Sequence, residues 1–285
     1  MKTHTRLPNG ETVPTLGLGT WRMGETARSR RQEIAAVRLA LDLGCRLIDT
    51  AEMYGEGGAE EVVGAALAEA FAAGTLKRAD VFIVSKLYPH NASRKGTASA
   101  CERSLARLGL DTIDLYLLHW KGSHALSQTV EAFEGLKAAG KIRHWGVSNF
   151  DAKDMERLAK VTGGEACTTN QVYYSAGERG IEFDLLPWMR QHTMPLMAYC
   201  PIDQGALASH AVFKRVGARH SVTATQAALA WVMREGDVIA IPKAVNPAHV
   251  KENFTRRPVA FTATDLKEID AAFPPPRGPT SLAVV

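Results

Sequence analysis

The chain has 285 residues, 46% hydrophobic and 22% charged, with a formal net charge of +4 at pH 7. This is enough apolar material for a sizeable core, and the scattered Lys and Arg residues form no basic stripe with interleaved aromatics, so a small anionic ligand is expected rather than nucleic acid. No stretch approaches the ~18 uninterrupted apolar residues of a membrane span, and residues 1–15 lack the apolar centre of a signal peptide, so a cytoplasmic, non-membrane protein is expected.

Taken in chain order, Arg6–Thr15, with Pro8-Asn9-Gly10 in its middle, reads as a β-hairpin placed to plug the bottom of a barrel. Short apolar runs then alternate with longer helical stretches. The runs are Leu16–Gly19, Arg46–Ile48, Val81–Ser85, Ile113–Leu118, Ile142–Val147, Cys167–Thr169, Pro195–Ala198 and Val238–Ile241. They are too short for buried helices, and most are rich in leucine or β-branched residues, as strands covered on both faces should be.

Between them, Ile34, Val37 and Leu41 share one helix face that Gly44 terminates; Val62, Val63, Ala66, Leu67 and Ala70 share a second, with Gly74 beyond it. Asp111 marks the turn into the fourth strand. Asp151 stands where an N-cap would start the helix carrying Met155 and Leu158, and Ala227, Leu229, Trp231 and Val232 belong to the helix before the last strand. Pro274-Pro275-Pro276 opens a rigid, non-repeating tail. Eight strand–helix units without a linker or a break in composition predict one domain spanning residues 1–285, a (β/α)8 TIM barrel with an N-terminal β-hairpin plug. Cys45, Cys101, Cys167 and Cys200 show no metal-ligand or redox spacing, and no metal is expected.

In a barrel of this kind the active site lies at the C-terminal ends of the strands. The polar residues closing the runs are Asp49, Lys86, His119, Ser148 and Asn149, Asn170 and Gln171, Tyr199 and Lys243, with Tyr54 in the loop after Asp49. Singly, each reads more readily as a paired surface charge or a structural polar group; together they make a coherent chemistry. A phenol titrates near ~10 in water. A neighbouring ammonium is expected to lower that value, while a carboxylate keeps the ammonium charged and aimed. Tyr54, Lys86 and Asp49 are the residue types for such a relay, and His119 is placed to orient a substrate oxygen beside Tyr54. Such a group would protonate an alkoxide formed when a carbonyl carbon accepts hydride.

At these residues the chain resembles the aldo-keto reductases. LIDTAEMYG, which holds Asp49 and Tyr54, VSKLY with Lys86 and LYLLHW with His119 resemble that family's catalytic tetrad. GLGTW at 17–21, KIRHWGVSNF at 141–150, TNQVYY at 169–174, MAYCP at 197–201 and IPKAVNPAHVKEN at 241–253 resemble it in order and spacing, over nearly the whole chain. The details are most similar to a bacterial branch associated with methylglyoxal and other small reactive aldehydes.

The resemblance implies a nicotinamide cofactor whose carboxamide is held by Ser148, Asn149 and Gln171 and whose ring stacks on Tyr199. It implies ribose contact at the backbone of Thr20 and Trp21, a pyrophosphate loop containing Cys200 and Leu207, and adenine contacts at Glu252 and Asn253. Cys200 stands where the family commonly has Ser, a better hydrogen-bond donor. Lys243 matches the lysine that reaches the adenosine 2′-phosphate, but Ala244 replaces the usual Ser, and His249 the usual Arg. That loss of a hydroxyl and of a planar, permanently charged fork weakens phosphate recognition. Lys243, Asn246 and His249, with Lys251 nearby, are left to supply it. NADPH (NADP+) is expected, with NADH as a weaker alternative.

For the substrate, Trp21, Tyr88 and Trp120 are expected to wall an apolar pocket around Tyr54 and His119, with Arg22, Ser123 and His124 as weaker candidates. A short tail is expected to leave that pocket open to a small carbonyl substrate, such as methylglyoxal, other 2-oxoaldehydes and aromatic aldehydes. The family's many monomers imply a monomer. Two other classes compete: a barrel enzyme forming a Schiff base at Lys86, and a non-catalytic NADP(H)-binding sensor on the same scaffold.

Overall fold

The computed structural model describes residues 2–255 and 258–285. At its N-terminus β1 (His4–Arg6) and β2 (Thr12–Pro14) pair antiparallel around Gly10, whose φ of 92° the turn requires. Leu7 and Val13, at 2% and 1% exposure, pack with Leu47, Phe82, Val84 and Leu117 in a cluster distinct from the main core. Burying a leucine in this way contributes about 1.5–3 kcal/mol. Glu11, in the turn, accepts from Arg143 and lies 2.8 Å from His144 Nε2, both near the start of a barrel strand. The hairpin therefore closes the end of the barrel where the strands begin, as expected.

Eight parallel strands follow: β3 (Leu18–Gly19), β4 (Leu47–Asp49), β5 (Phe82–Leu87), β6 (Ile113–Leu118), β7 (Ile142–Ser148), β8 (Asn170–Tyr173), β9 (Leu196–Tyr199) and β10 (Val238–Ala240). Each pairs with its neighbour in chain order. Parallel bridges Leu16–Ala240 and Gly19–Lys243, with Gly17 N donating to Ala240 O at 2.9 Å, join the first to the last and close the barrel.

The helices are α1 (Ala27–Asp42), α2 (Gly58–Ala72), α3 (Arg94–Leu108), α4 (Leu126–Ala138), α5 (Ala152–Ala159), α6 (Leu185–Gln191), α7 (Ala206–Ser209), α8 (Ala211–Arg219), α9 (Ala224–Val232), α10 (Pro247–Phe254) and α11 (Ala263–Ala272). Their starts follow local chemistry: Thr26, Ser93, Asp151, Thr223 and Thr262 each accept a backbone N–H of the first turn. Gly44 and Gly74 lie just past α1 and α2, with φ of 94° and 66°.

The sixth strand departs from the sequence reading. Cys167–Thr169 is the lead-in, and the ladder is formed by Asn170–Tyr173, whose Asn170 and Gln171 pair with Val147 and Ser148. The amides sit inside the strand because partners await them there: Asn170 Nδ2 donates to Phe150 O at 2.8 Å, and Gln171 Nε2 to Asp49 Oδ1 at 2.7 Å. Asp49, Lys86, Ser148 and Tyr199 likewise belong to strand ends rather than to the loops beyond. The tail lies along the barrel: Leu282 packs against the core, and Val285, 57% exposed, is among the residues lining the cavity at the site.

Candidate active site

The C-terminal ends of β3 through β10 surround a cavity of about 620 Å³. One arm holds Asp49, Tyr54 and His119; the other reaches Lys243, His249, Glu252 and Asn253, with Ser148, Asn149, Gln171 and Tyr199 on its walls.

Lys86, the penultimate residue of β5, is fully buried and gives its three protons to three acceptors: Asp49 Oδ2 at 2.8 Å, Thr50 O at 2.9 Å and Tyr54 Oη at 3.2 Å. Burial lowers the Lys86 pKa from its ordinary value and raises that of Asp49, while each ion opposes the shift in the other. Tyr54 departs from expectation. Burial, with the Asp49 charge adding to it, pushes the phenol well above its usual value, since the Lys86 charge is engaged first by the closer carboxylate.

His119, directly after β6, packs edge-on to the Tyr54 ring at 5.6 Å. Burial, helped by the Lys86 charge, drops its pKa well below the usual imidazole value, so the ring is neutral. Its Nδ1 is buried and has no hydrogen-bond partner among the described residues.

Tyr199 stacks on Tyr173 at 5.6 Å and donates to Asn149 Oδ1 at 2.8 Å. Asn149 Nδ2 donates to His119 O at 3.1 Å, which connects the stacked pair to the imidazole's backbone. Ser148 Oγ donates to Gln171 O at 2.7 Å. The loop after β9 bends sharply: Cys200, Asp203 and Gln204 have φ of 48°, 52° and 50°, and the Tyr173 hydroxyl donates to Asp203. Burial pushes the Cys200 thiol up to about 11, leaving it protonated.

The remaining predicted positions divide. Trp21 and Trp120 line the cavity, as do Cys200 and Arg22, whose guanidinium lies 4.6 Å over the Trp21 ring. Thr20 is buried behind the wall with its hydroxyl on Asp49 O at 2.9 Å; Leu207 and Ala244 are buried outside the lining. Asn246 caps α10 through its side-chain oxygen. Tyr88 is not brought into the cavity. It stacks on His90 and meets Trp120 edge-on from outside, because its hydroxyl is tied to Glu56 Oε1 at 2.7 Å. Sequence reasoning did not find Met53, Ile202, Gln204 or Thr225 in the lining, nor the Gln171–Asp49 bond. An apolar or amide residue in a loop, such as Met53, Ile202 or Gln204, carries no local sign of which way it will face, and Thr225, in the first turn of α9, faces the cavity only because of how that helix packs.

The chemistry of the donor set fits a dinucleotide. The buried Asn253 Oδ1 has no partner among the described residues and lies in the arm lined by Glu252 and His249, where an exocyclic adenine amine would satisfy it. The flat Tyr199 ring and the exposed Lys243 suit a planar ring at one end and a phosphate at the other. Among the described residues no group of three or more His, Cys, Asp or Glu side chains is placed to hold a metal ion, and no helix is long and apolar enough to cross a membrane.

A closed parallel barrel with Asp49, Tyr54 and His119 lining one cavity, and Lys86 buried behind Asp49 and Tyr54, is the arrangement of an oxidoreductase. The aldo/keto reductase family model matches residues 15–273, and the chain belongs to that family. It is 49% identical over 278 residues to the methylglyoxal reductase YeaE of Escherichia coli K12, covering 96% of this chain and 95% of that one. It is 32% identical over 271 residues to the glyoxal reductase of Bacillus subtilis, covering 95% and 93%. Among solved structures, an aldo/keto reductase from Klebsiella pneumoniae in complex with NADP and acetate superposes with a TM-score of 0.94 at 46% identity, over the full length of both chains.

Proposed function

We propose that this protein reduces small activated carbonyls, with 2-oxoaldehydes such as methylglyoxal and aromatic aldehydes as its substrate class, using NADPH. The carrying observation is the Asp49–Lys86–Tyr54 chain of 2.8 and 3.2 Å contacts beside a neutral His119. The names of its relatives and the NADP in the Klebsiella structure support the substrate class and the cofactor.

When bound, the reduced nicotinamide supplies the hydride. Gln171, Ser148 and Asn149 would hold its carboxamide, Tyr199 its ring, Trp21 and Thr20 the ribose, the Cys200–Leu207 loop the pyrophosphate, Lys243 and His249 the 2′-phosphate, and Glu252 and Asn253 the adenine. At the substrate end, an imidazole N–H on Nδ1 would be a buried orphan donor, so the proton belongs on Nε2, where it donates to the carbonyl oxygen. Tyr54, kept protonated by burial, transfers its proton to the same oxygen as alkoxide character develops. Lys86 donates to the phenolate left behind, and Asp49 keeps Lys86 aimed. Trp21 and Trp120 close the apolar wall.

A Schiff base at Lys86 is disfavoured, because all three ammonium protons are engaged and no surface is open to a carbonyl carbon. The same reading takes residues 1–285 as one domain acting as a cytoplasmic monomer, the size of which sedimentation checks.

Tyr54→Phe tests the reading. Turnover of methylglyoxal should fall on the order of 10²–10⁴-fold, while NADPH affinity, read by fluorescence titration, stays within twofold. A wild-type protein that binds NADPH but consumes none with any aldehyde would leave the sensor reading, and a fully active Tyr54→Phe would remove the acid.

A further inference from the structure

The segment carrying Tyr54 also carries three glutamates at a spacing of four, Glu52, Glu56 and Glu60, none of which the chemistry above uses. Each reaches across to the following strand–helix unit. Glu52, 5% exposed, accepts from Tyr88 N at 2.6 Å and Asn91 Nδ2 at 2.8 Å, and lies 3.4 Å from Arg103 Nη2. Glu56 accepts from the Tyr88 hydroxyl at 2.7 Å. Glu60, wholly enclosed, accepts from Ser85 Oγ at 2.6 Å and Arg107 Nε at 2.6 Å. Ser85 is the chain neighbour of Lys86, and Arg103 and Arg107 lie one helical turn apart on α3.

Around the middle rung the backbone runs through the left-handed region, at a cost borne by Glu56 alone, since glycine adopts positive φ readily. Gly55, Glu56 and Gly57 have φ of 58°, 51° and 96°, three left-handed residues in succession directly after Tyr54. A Cβ on Gly57 would stand 2.5 Å from Arg107 Nε, so the guanidinium lies against the bare backbone of this loop. A carboxylate with no exposure is costly to bury and is retained only where its partners hold it. What those partners hold is the short arc that sets the Tyr54 hydroxyl 3.2 Å from Lys86 Nζ.

We propose that Glu52, Glu56 and Glu60 form a carboxylate ladder onto Tyr88, Arg103, Arg107 and Ser85 whose role is to position Tyr54 for proton transfer. The ladder residues are positioning residues; they touch neither substrate nor cofactor. This inference rests on Tyr54 being the acid. It assigns Tyr88 to the back of the site rather than to the substrate wall.

Because displacing a reacting group by 1 Å costs on the order of 100-fold in rate, Arg107→Met should lower kcat for methylglyoxal about 10- to 100-fold, with KM and NADPH affinity within twofold. Arg107→Lys, which restores the charge, should recover much of that loss. Tyr88→Phe and Glu56→Ala remove only the outer rung, on the half-exposed side, and should each lower kcat about threefold with KM unchanged. If Arg107→Met does not fold, the two outer-rung variants decide. Unchanged kcat in both, or in a folded Arg107→Met whose melting temperature alone falls, overturns the ladder while leaving the reductase reading intact. An inactive wild-type protein overturns the reductase reading itself, and the ladder with it. A rise in KM with kcat preserved would return Tyr88 to the substrate wall and overturn the positioning role.

Discussion

Replacing Lys86 with Met removes the cation at the centre of the site while keeping most of its volume. Asp49, 2% exposed, is then left with Gln171 Nε2 as its remaining side-chain donor. Removing one partner of a buried ion pair costs about 3–5 kcal/mol, and Asp49 can avoid part of this by taking up a proton. Its pKa is already raised by burial, against lowering by Lys86 through charge and hydrogen bond and by Gln171. Without Lys86 it rises further.

The direction of the pH effect follows. A group whose folded pKa exceeds its unfolded value contributes its stability fully below the unfolded pKa and loses it as pH rises through the folded one. Stability of Lys86→Met should therefore fall by about 1.4 kcal/mol per pH unit above the unfolded aspartate pKa, until the new folded pKa is reached. No Lys86 titration remains in the variant to contribute to that slope. Urea melts of wild type, Lys86→Met, Asp49→Asn and the double variant between about pH 5 and pH 8 measure it. The deficit of Lys86→Met relative to wild type should widen with pH, and the double variant should recover most of it at the upper end. A deficit constant across the range, or a double variant no more stable than Lys86→Met, would refute the reasoning.

Two further predictions concern neighbouring structure. Gly24→Ala should cost at least about 2 kcal/mol: the residue has φ of 72°, and a Cβ there would lie 2.1 Å from the backbone carbon of Gly58, which belongs to the unit carrying Tyr54. Thermal and urea melts check this, and a change under about 0.5 kcal/mol would show that the two loops need not touch. His249→Arg should raise the ratio of kcat/KM for NADPH over NADH about tenfold, by restoring a permanently charged fork near Lys243. An unchanged ratio would place the 2′-phosphate elsewhere.

The order of strands and helices was legible because each is set by local pattern. Asp151 caps α5 and Gly44 ends α1 for reasons contained within a few residues. The convergence of Asp49, Lys86 and His119 was legible because a barrel brings all strand ends to one rim, and Tyr54 follows in the loop just past β4, so position along the chain translates into position in space. The boundaries of β8 were not, since Asn170 and Gln171 are polar in sequence and strand-like only because Phe150 O and Asp49 stand opposite them.

By itself, then, the sequence determined the period of the elements, the caps that start the helices and the residue types that converge at the rim. The tertiary structure alone decided three things. It set the direction of the Tyr54 shift, because burial and then the Asp49 charge both raise it. It kept Tyr88 out of the cavity lining, because Glu56 and Glu52 hold it from behind. It brought Val285 to that lining. Each depends on which groups meet across long stretches of chain, and desolvation and hydrogen-bond partnership at such meetings follow from the packing of the whole barrel rather than from any local run of residues.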